Sequence, residues 1–215
     1  MGLMNKFADS PLSSPKTSVV AVDERFVLNK PVTLLLKEKI FSLSGDDFTI
    51  KDTNDVSYFK CKGKAFNIKS KKNIYDINNK PLFNIQNKNI IALKKKMIIF
   101  SGENEANIIA TICPKTAIFS KTSLVEFKNK LTGENEVLKM KYDLIGNSCG
   151  IFYGESENAP LICKIHRKFD AKLILTSKDN YHVDIAPGVD ISLMLALGIC
   201  FDEIKNDKLR KSNNS

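Results

Sequence analysis

Apolar and polar positions alternate in short runs along most of this chain. Asn73-Ile74-Tyr75-Asp76-Ile77 and Tyr181-His182-Val183-Asp184-Ile185 place polar and apolar residues on opposite faces, the period-two pattern of a half-buried strand. Further strand-like runs bring the series to 32–43, 48–50, 56–61, 65–68, 73–77, 81–85, 90–93, 97–100, 107–113, 123–127, 136–142, 150–153, 161–166, 172–176 and 181–185. Turn formers separate them, among them Gly45-Asp46-Asp47, Asp52-Thr53-Asn54-Asp55 and Asn78-Asn79-Lys80. Short strands that recur about every ten residues with turns between them predict an all-β sandwich or barrel.

One segment departs from this pattern. Residues 191–201 are apolar on nearly every side. Asp190 is a good N-cap residue, and it follows the turn Ala186-Pro187-Gly188. In a helix, Leu193, Met194, Leu197 and Phe201 share one face, while Ile191, Leu195 and Ile199 cover much of the rest. A helix that is hydrophobic all round must be surrounded by protein or lipid. Eleven residues rise only about 16 Å, roughly half a bilayer core, so burial in protein is the favoured reading. A closed sheet is one container that surrounds such a helix completely.

Length and composition fit one domain with a sizeable core: 215 residues, 43% hydrophobic and 27% charged. Residues 1–18 are rich in Ser, Pro and Lys and read as a disordered tail, with Ser10-Pro11 and Ser14-Pro15 disfavouring helix and strand alike. Residues 19–205 read as the domain and 206–215 as a polar, frayed tail. Cys61, Cys113, Cys149, Cys163 and Cys200 are odd in number and widely spaced, without a CxxC pair. That argues against a disulfide framework or a zinc site and for reduced cysteines in a cytoplasmic protein. No signal peptide or transmembrane span is visible. Gly2 does not begin a myristoylation motif, because Lys6 stands where Ser or Thr is needed.

Candidate chemistry is sparse. The two histidines, His166 and His182, have no nucleophile partner in the sequence and read as surface or rim residues. No GxSxG, P-loop or GxGxxG occurs, and Asp52-Thr53-Asn54-Asp55 lacks the Gly and Glu of a calcium loop. The expectation is therefore no catalytic residue, no metal and no cofactor. The basic residues say more. Between Lys60 and Phe100 stand eleven lysines and one acid, Asp76, for a local charge of +10 against +9 for the whole chain. Such an edge can simply discourage sheet aggregation. It can also bind anionic head groups, each lysine near the surface contributing about 1 kcal/mol. The candidate lipid-binding residues are Lys69, Lys71, Lys72, Lys94, Lys95 and Lys96. Nucleic acid ranks second as the anion, because Tyr58, Phe59, Phe66, Tyr75 and Phe83 sit mostly where a core strand uses them.

The segments also resemble a known family. Leu35-Leu36-Lys37-Glu38-Lys39-Ile40-Phe41-Ser42-Leu43-Ser44-Gly45-Asp46-Asp47-Phe48, Phe59-Lys60-Cys61-Lys62-Gly63-Lys64 and Asn79-Lys80-Pro81-Leu82 carry the resemblance early in the chain. Asn147-Ser148-Cys149 and Ile151-Phe152-Tyr153-Gly154 follow. Lys178-Asp179-Asn180-Tyr181, Ala186-Pro187-Gly188-Val189-Asp190, Leu195-Ala196-Leu197 and Asp202-Glu203-Ile204 are the most specific. Over residues 20–205 the chain is similar to LURP-one-related proteins, of the superfamily that contains tubby C-terminal domains and phospholipid scramblases. The resemblance implies a twelve-stranded antiparallel β-barrel threaded by the hydrophobic C-terminal helix. It implies a non-enzymatic module that binds phosphoinositides or acts as a membrane-associated regulator, cytoplasmic or peripheral to the inner face of membranes. The alternatives are a protein-interaction scaffold, a nucleic-acid-binding module or scramblase-like lipid translocation. The chain lacks the palmitoylated Cys cluster and Pro-rich N-terminal region of scramblases.

Overall fold

The computed structural model describes residues 7, 9–37, 48–61, 71–90, 94–115, 121–143, 147–167 and 180–212, except for the side chains of residues 37, 48, 89, 90, 94, 95, 180 and 208–212. Twelve strands form a closed antiparallel barrel. They are β1 (Val32–Lys37), β2 (Phe48–Asp52), β3 (Ser57–Cys61), β4 (Lys71–Asp76), β5 (Pro81–Ile90) and β6 (Lys94–Ser101), then β7 (Ile108–Pro114), β8 (Thr122–Lys128), β9 (Asn135–Asp143), β10 (Ser148–Tyr153), β11 (Leu161–Arg167) and β12 (Asn180–Ile185). Each strand pairs with its neighbours in sequence, and β12 closes on β1 with Leu34 opposite Val183 and Leu36 opposite Tyr181. Twelve of the fifteen strand-like runs fall on these strands. The runs 65–68 and 172–176 lie outside the described residues, as do residues 38–43 of the run 32–43, and of 90–93 only Ile90 is described, at the end of β5.

Alternation decides which side chains enter the lumen. Leu34, Phe59, Phe83, Ile99, Val125 and Val183 are each fully buried. The helix α1 (Ile191–Ser212) fills the space between them, and its apolar half from Ile191 to Phe201 is at most 1% exposed. Gly198 sets how close the helix comes to the wall. A Cβ there would stand 3.3 Å from Leu36 Cδ2 and 3.6 Å from Val183 Cγ2.

The helix is longer than hydropathy indicates. It continues past Phe201 through 202–212, so the residues read as a polar tail from 206 include its last turns. The polar half has partners on the barrel. Lys205 Nζ donates to the Tyr181 hydroxyl at 2.8 Å, and the Lys72 ammonium pairs with Glu203. Asp202 is buried and accepts from Asn206 Nδ2 at 3.0 Å. No helix of the described residues is long and apolar enough to cross a membrane.

Asp190 starts the helix as the N-cap rule predicts. Its Oδ1 accepts from the N–H groups of Ser192 (2.9 Å) and Leu193 (3.3 Å) and from the Ser192 hydroxyl. Its Oδ2 accepts from the N–H groups of Ala21, Val22 and Asp23 at 3.2, 2.7 and 3.2 Å. The same carboxylate therefore holds the N-terminal segment across the end where the helix enters. Val19, Val20, Ala21 and Val22 are buried there, and Phe26 packs on Phe59 with ring centroids 4.9 Å apart.

The reading of residues 1–18 as a disordered tail does not hold for Phe7 and residues 9–18. Phe7 is buried in a notch over Gly150, edge-on to Phe152 at 6.3 Å. The Ser13 N–H donates to the Leu161 carbonyl at 2.8 Å, and Lys164 Nζ donates to the Ser10 carbonyl at 3.1 Å. The prolines do exclude helix and ladder from 11–15, but they do not prevent docking on the barrel wall.

Candidate functional site

Strand parity divides the predicted lysines. Lys71 and Lys72 are consecutive on β4, so they project to opposite faces. Lys72 is in register with Ile85 of the core, and its ammonium pairs with Glu203 of α1. Lys71 is in register with Gln86 on the outer face, and its Nζ donates to the Glu103 carbonyl. On the same face Lys88 stands opposite Lys96, and Lys88 Nζ lies 2.8 Å from Glu105 Oε2. Lys94 and Lys95 pair through their backbones with Ile90 and Asn89. Lys69 lies outside the described residues.

The acids arrive on a loop. Gly102, at φ +63°, turns the chain after β6, and its N–H donates to the Leu82 carbonyl at 3.0 Å. The loop then lies over the outer face of β4 and β5. Asn84 Nδ2 donates to the Gly102 and Asn104 carbonyls at 2.8 and 3.3 Å, and Gln86 Nε2 donates to Asn84 Oδ1 at 2.9 Å. Burial and a hydrogen bond with Glu103 push the Tyr75 hydroxyl up to about 12. The Lys88 and Gln86 side chains hold the Glu105 carboxyl below the usual range. Thus Glu103, Glu105 and Glu203 meet the lysine-rich third although none belongs to it in sequence. Counting charge in a window cannot register acids delivered by the next hairpin or by the terminal helix. The one available signal is the acidic Glu103-Asn104-Glu105 directly after a basic strand.

His166 departs from the surface-or-rim reading, while His182 is half-buried. His166 is buried at 3% exposure, on the outer face of β11. Its Nε2 lies 2.9 Å from Asp184 Oδ2, while the Thr33 hydroxyl donates to Asp184 Oδ1 at 2.7 Å. Lys164 Nζ is 3.8 Å from the same carboxylate. Burial alone would raise the Asp184 carboxyl, but His166, Thr33 and Lys164 hold it below its ordinary value. His182 stacks on His166 with centroids 5.8 Å apart. Among the described residues, His166 Nδ1 is buried without a hydrogen-bond partner, and neither ring nitrogen meets a hydroxyl or thiol. The cluster forms a clasp between β1, β11 and β12. Burial pushes the Cys149 and Cys163 thiols well above their ordinary value, which disfavours the reactive thiolate.

Beside the clasp lies a groove of about 440 Å³ between the N-terminal segment and the wall. Ser10, Leu12, Asn54, Tyr58, Lys164 and Asp184 are among the residues that line it. The β2–β3 turn at its edge, read from sequence as a plain turn, is one. Asp52 Oδ1 accepts from the N–H groups of Asn54 (2.8 Å) and Val56 (2.9 Å), and Asp55 takes φ +65°. Asp76 builds the β4–β5 turn in the same way, with Asn78 and Lys80 as donors and Asn79 at φ +65°.

Comparison with known proteins agrees with this architecture. A sequence model of the LURP-one-related family matches residues 32–202. The chain is 23% identical to Protein LURP-one-related 15 of Arabidopsis thaliana over 197 residues, 90% of this chain and 89% of that protein. It is 24% identical to Protein LURP-one-related 10 of the same plant, over 86% of this chain and 96% of that protein. An X-ray structure of a protein from Arabidopsis thaliana superposes with a TM-score of 0.61, at 20% identity, over 86% of this chain and 98% of the other. That likeness speaks to the fold alone.

Proposed function

The chain belongs to the LURP-one-related family, and from that premise we propose that it is a non-enzymatic β-barrel module that docks on anionic phospholipid surfaces at the cytoplasmic face of membranes. The observation that carries this reading is the register of β5 and β6. It sets Lys88 opposite Lys96 on the outer face, in a ladder whose backbone also includes Lys94 and Lys95, with Glu105 paired to Lys88. Lysines that face each other across a ladder suit the clustered phosphates of a phosphoinositide head group. They would draw it by a field that salt screens, the Debye length falling from about 10 Å at 0.1 M to about 3 Å at 1 M. Lys71 contributes from β4 after its contact with the Glu103 carbonyl is given up. Lys72 is set aside as a lipid ligand because Glu203 holds it within the barrel mouth.

The test is flotation with vesicles of phosphatidylcholine alone and with added phosphoinositide, at two salt concentrations. The wild type should float with the anionic vesicles at low salt, and a variant with Lys88, Lys94, Lys95 and Lys96 changed to Gln should not. Equal flotation of both proteins removes the lipid reading. Preferential binding of single-stranded nucleic acid by the wild type would replace it with the competing anion.

A second reading, a protein-interaction scaffold, is favoured by a different observation. The exposed large apolar side chains among the described residues, Val56, Ile77, Ile108 and Leu131, all lie in or beside connections at the end where the helix enters. Substituting these four by Ser would leave flotation intact and abolish partner capture if the scaffold reading holds.

A further inference from the structure

We propose that Ser10 is a phosphorylation site for a proline-directed protein kinase, and that the groove beside it receives the phosphoryl group through Lys164 and Lys30. The observations are independent of the lipid reading. Ser10-Pro11 and Ser14-Pro15 form two Ser-Pro pairs within six residues. The segment that carries them has no helix and no ladder from 11–15. Pro11 and Ser14 are exposed and Ser10 is half-buried. Proline offers no N–H, so neither position after the serines is tied to the barrel by a backbone donor. Between Ser10 and Ser14 the backbone is held by the Ser13 N–H on the Leu161 carbonyl and by Lys164 on the Ser10 carbonyl. Such a segment can lift into a kinase cleft without disturbing the barrel.

Ser10 differs from Ser14 in what surrounds it. It lines the groove with Lys30, Lys164, Asn54 and Tyr58. Lys164 Nζ is 3.1 Å from the Ser10 carbonyl oxygen and therefore within reach of a phosphate on the same residue. Lys30 is exposed and makes no ion pair within the described residues. The opposing carboxylates are already engaged, Asp184 by His166 and Thr33 and Asp52 by the N–H groups of its turn. Transfer joins Ser10 Oγ to the γ-phosphorus of a nucleoside triphosphate, breaks the bond from that phosphorus to the bridging oxygen, and releases the nucleoside diphosphate. The hydroxyl proton passes to the base of the kinase. The product adds nearly two negative charges and three acceptor oxygens, which form charge-assisted hydrogen bonds with the two lysines. The modification thus fastens residues 9–18 over the His166–Asp184 clasp.

The folded full-length chain is treated with a proline-directed serine kinase and magnesium ATP and followed by intact mass and hydrogen exchange. One phosphate should be incorporated in wild type and in Ser14→Ala at a position that Ser10→Ala removes. A chain with phosphoserine installed at position 10 during translation separates the groove from the kinase. In both, exchange of the Ser13 amide should slow about tenfold, and Lys30→Gln should largely abolish the slowing without changing the melting of the unmodified protein. Modification confined to Ser14, or no incorporation, overturns the site. Faster exchange at Ser13 in the phosphoserine chain overturns the receiving groove, because Asp184 and Asp52 would then have expelled the phosphate.

Discussion

Asp190 ties two distant parts of the chain with one carboxylate, and its replacement should show both losses. Burial pushes the Asp190 carboxyl up, against the pull of the Ser192 hydroxyl and five backbone N–H groups. Asp190→Ala should cost about 2–5 kcal/mol in chemical denaturation, since it removes a helix cap and leaves buried donors unmet. Asp76 and Asp184 give the protein its acid sensitivity. Burial alone would raise the Asp76 carboxyl, but the N–H groups of Lys80 and Asn78 and the Arg25 guanidinium hold it low, and Asp184 is likewise held low. A carboxyl depressed by folding adds stability that is fully present above its unfolded value, near pH 4, and is lost as pH falls through its folded value. Thermal melting should therefore fall below pH 4, more gently in Asp76→Asn, with the raised Asp190 carboxyl working in the opposite sense. An unchanged slope in that variant would show that Asp76 is not one of the groups responsible. Much of this scale was legible in sequence: Asp190 as a cap and Asp52 as a plain turn follow from local rules. The grip of Asp190 on residues 21–23 was not, because its donors lie 167 to 169 positions away.

At the scale of elements, the strands were readable because alternation is a local consequence of burying one face, and β4 and β12 carry it clearly. The second half of α1 was not. Its polar residues are held by Lys72 and Tyr181 across the barrel mouth, and hydropathy cannot distinguish such residues from a frayed tail. The same limit applies to the candidate lysines: Lys71 and Lys72 adjoin in sequence but face opposite sides of β4, and Lys72 pairs with Glu203, 131 positions away. Two substitutions separate the resulting roles. Lys72→Gln should lower stability by about 1 kcal/mol, as expected for a half-screened pair that leaves Glu203 without its cation, and leave vesicle flotation as it was. Lys96→Gln should do the reverse, weakening flotation at low salt with no change in the denaturation midpoint. Loss of flotation in Lys72→Gln at full stability would return Lys72 to the lipid site.

At the scale of the molecule, the barrel and the helix are one cooperative unit, and this sets how the chain must fold. The seam that closes the sheet joins strands far apart in sequence, with Thr33 and Asp184 separated by 151 positions. Non-local closure of this kind is slow, because the loop entropy is lost before the contacts form. The lumen cannot stay empty once closed: its lining residues are as buried as the helix that fills it, and protein interiors are packed to the density of organic crystals. A chain ending at residue 190 should therefore lack a stable barrel even though it contains every strand. It should bind a hydrophobic dye, melt without a cooperative transition and lose protection along β1 and β12. The point variant Leu195→Asp tests the same dependence within the full chain, because an unpaired carboxylate in the lumen costs several kcal/mol. It should reproduce the behaviour of the truncated chain, whereas Leu195→Met, which conserves volume, should melt within about 1.5 kcal/mol of wild type. A Leu195→Asp protein with the wild-type melting curve would mean that the helix is not the core of this barrel. A lipid-seated helix would then have to be considered, with the sheet stable on its own.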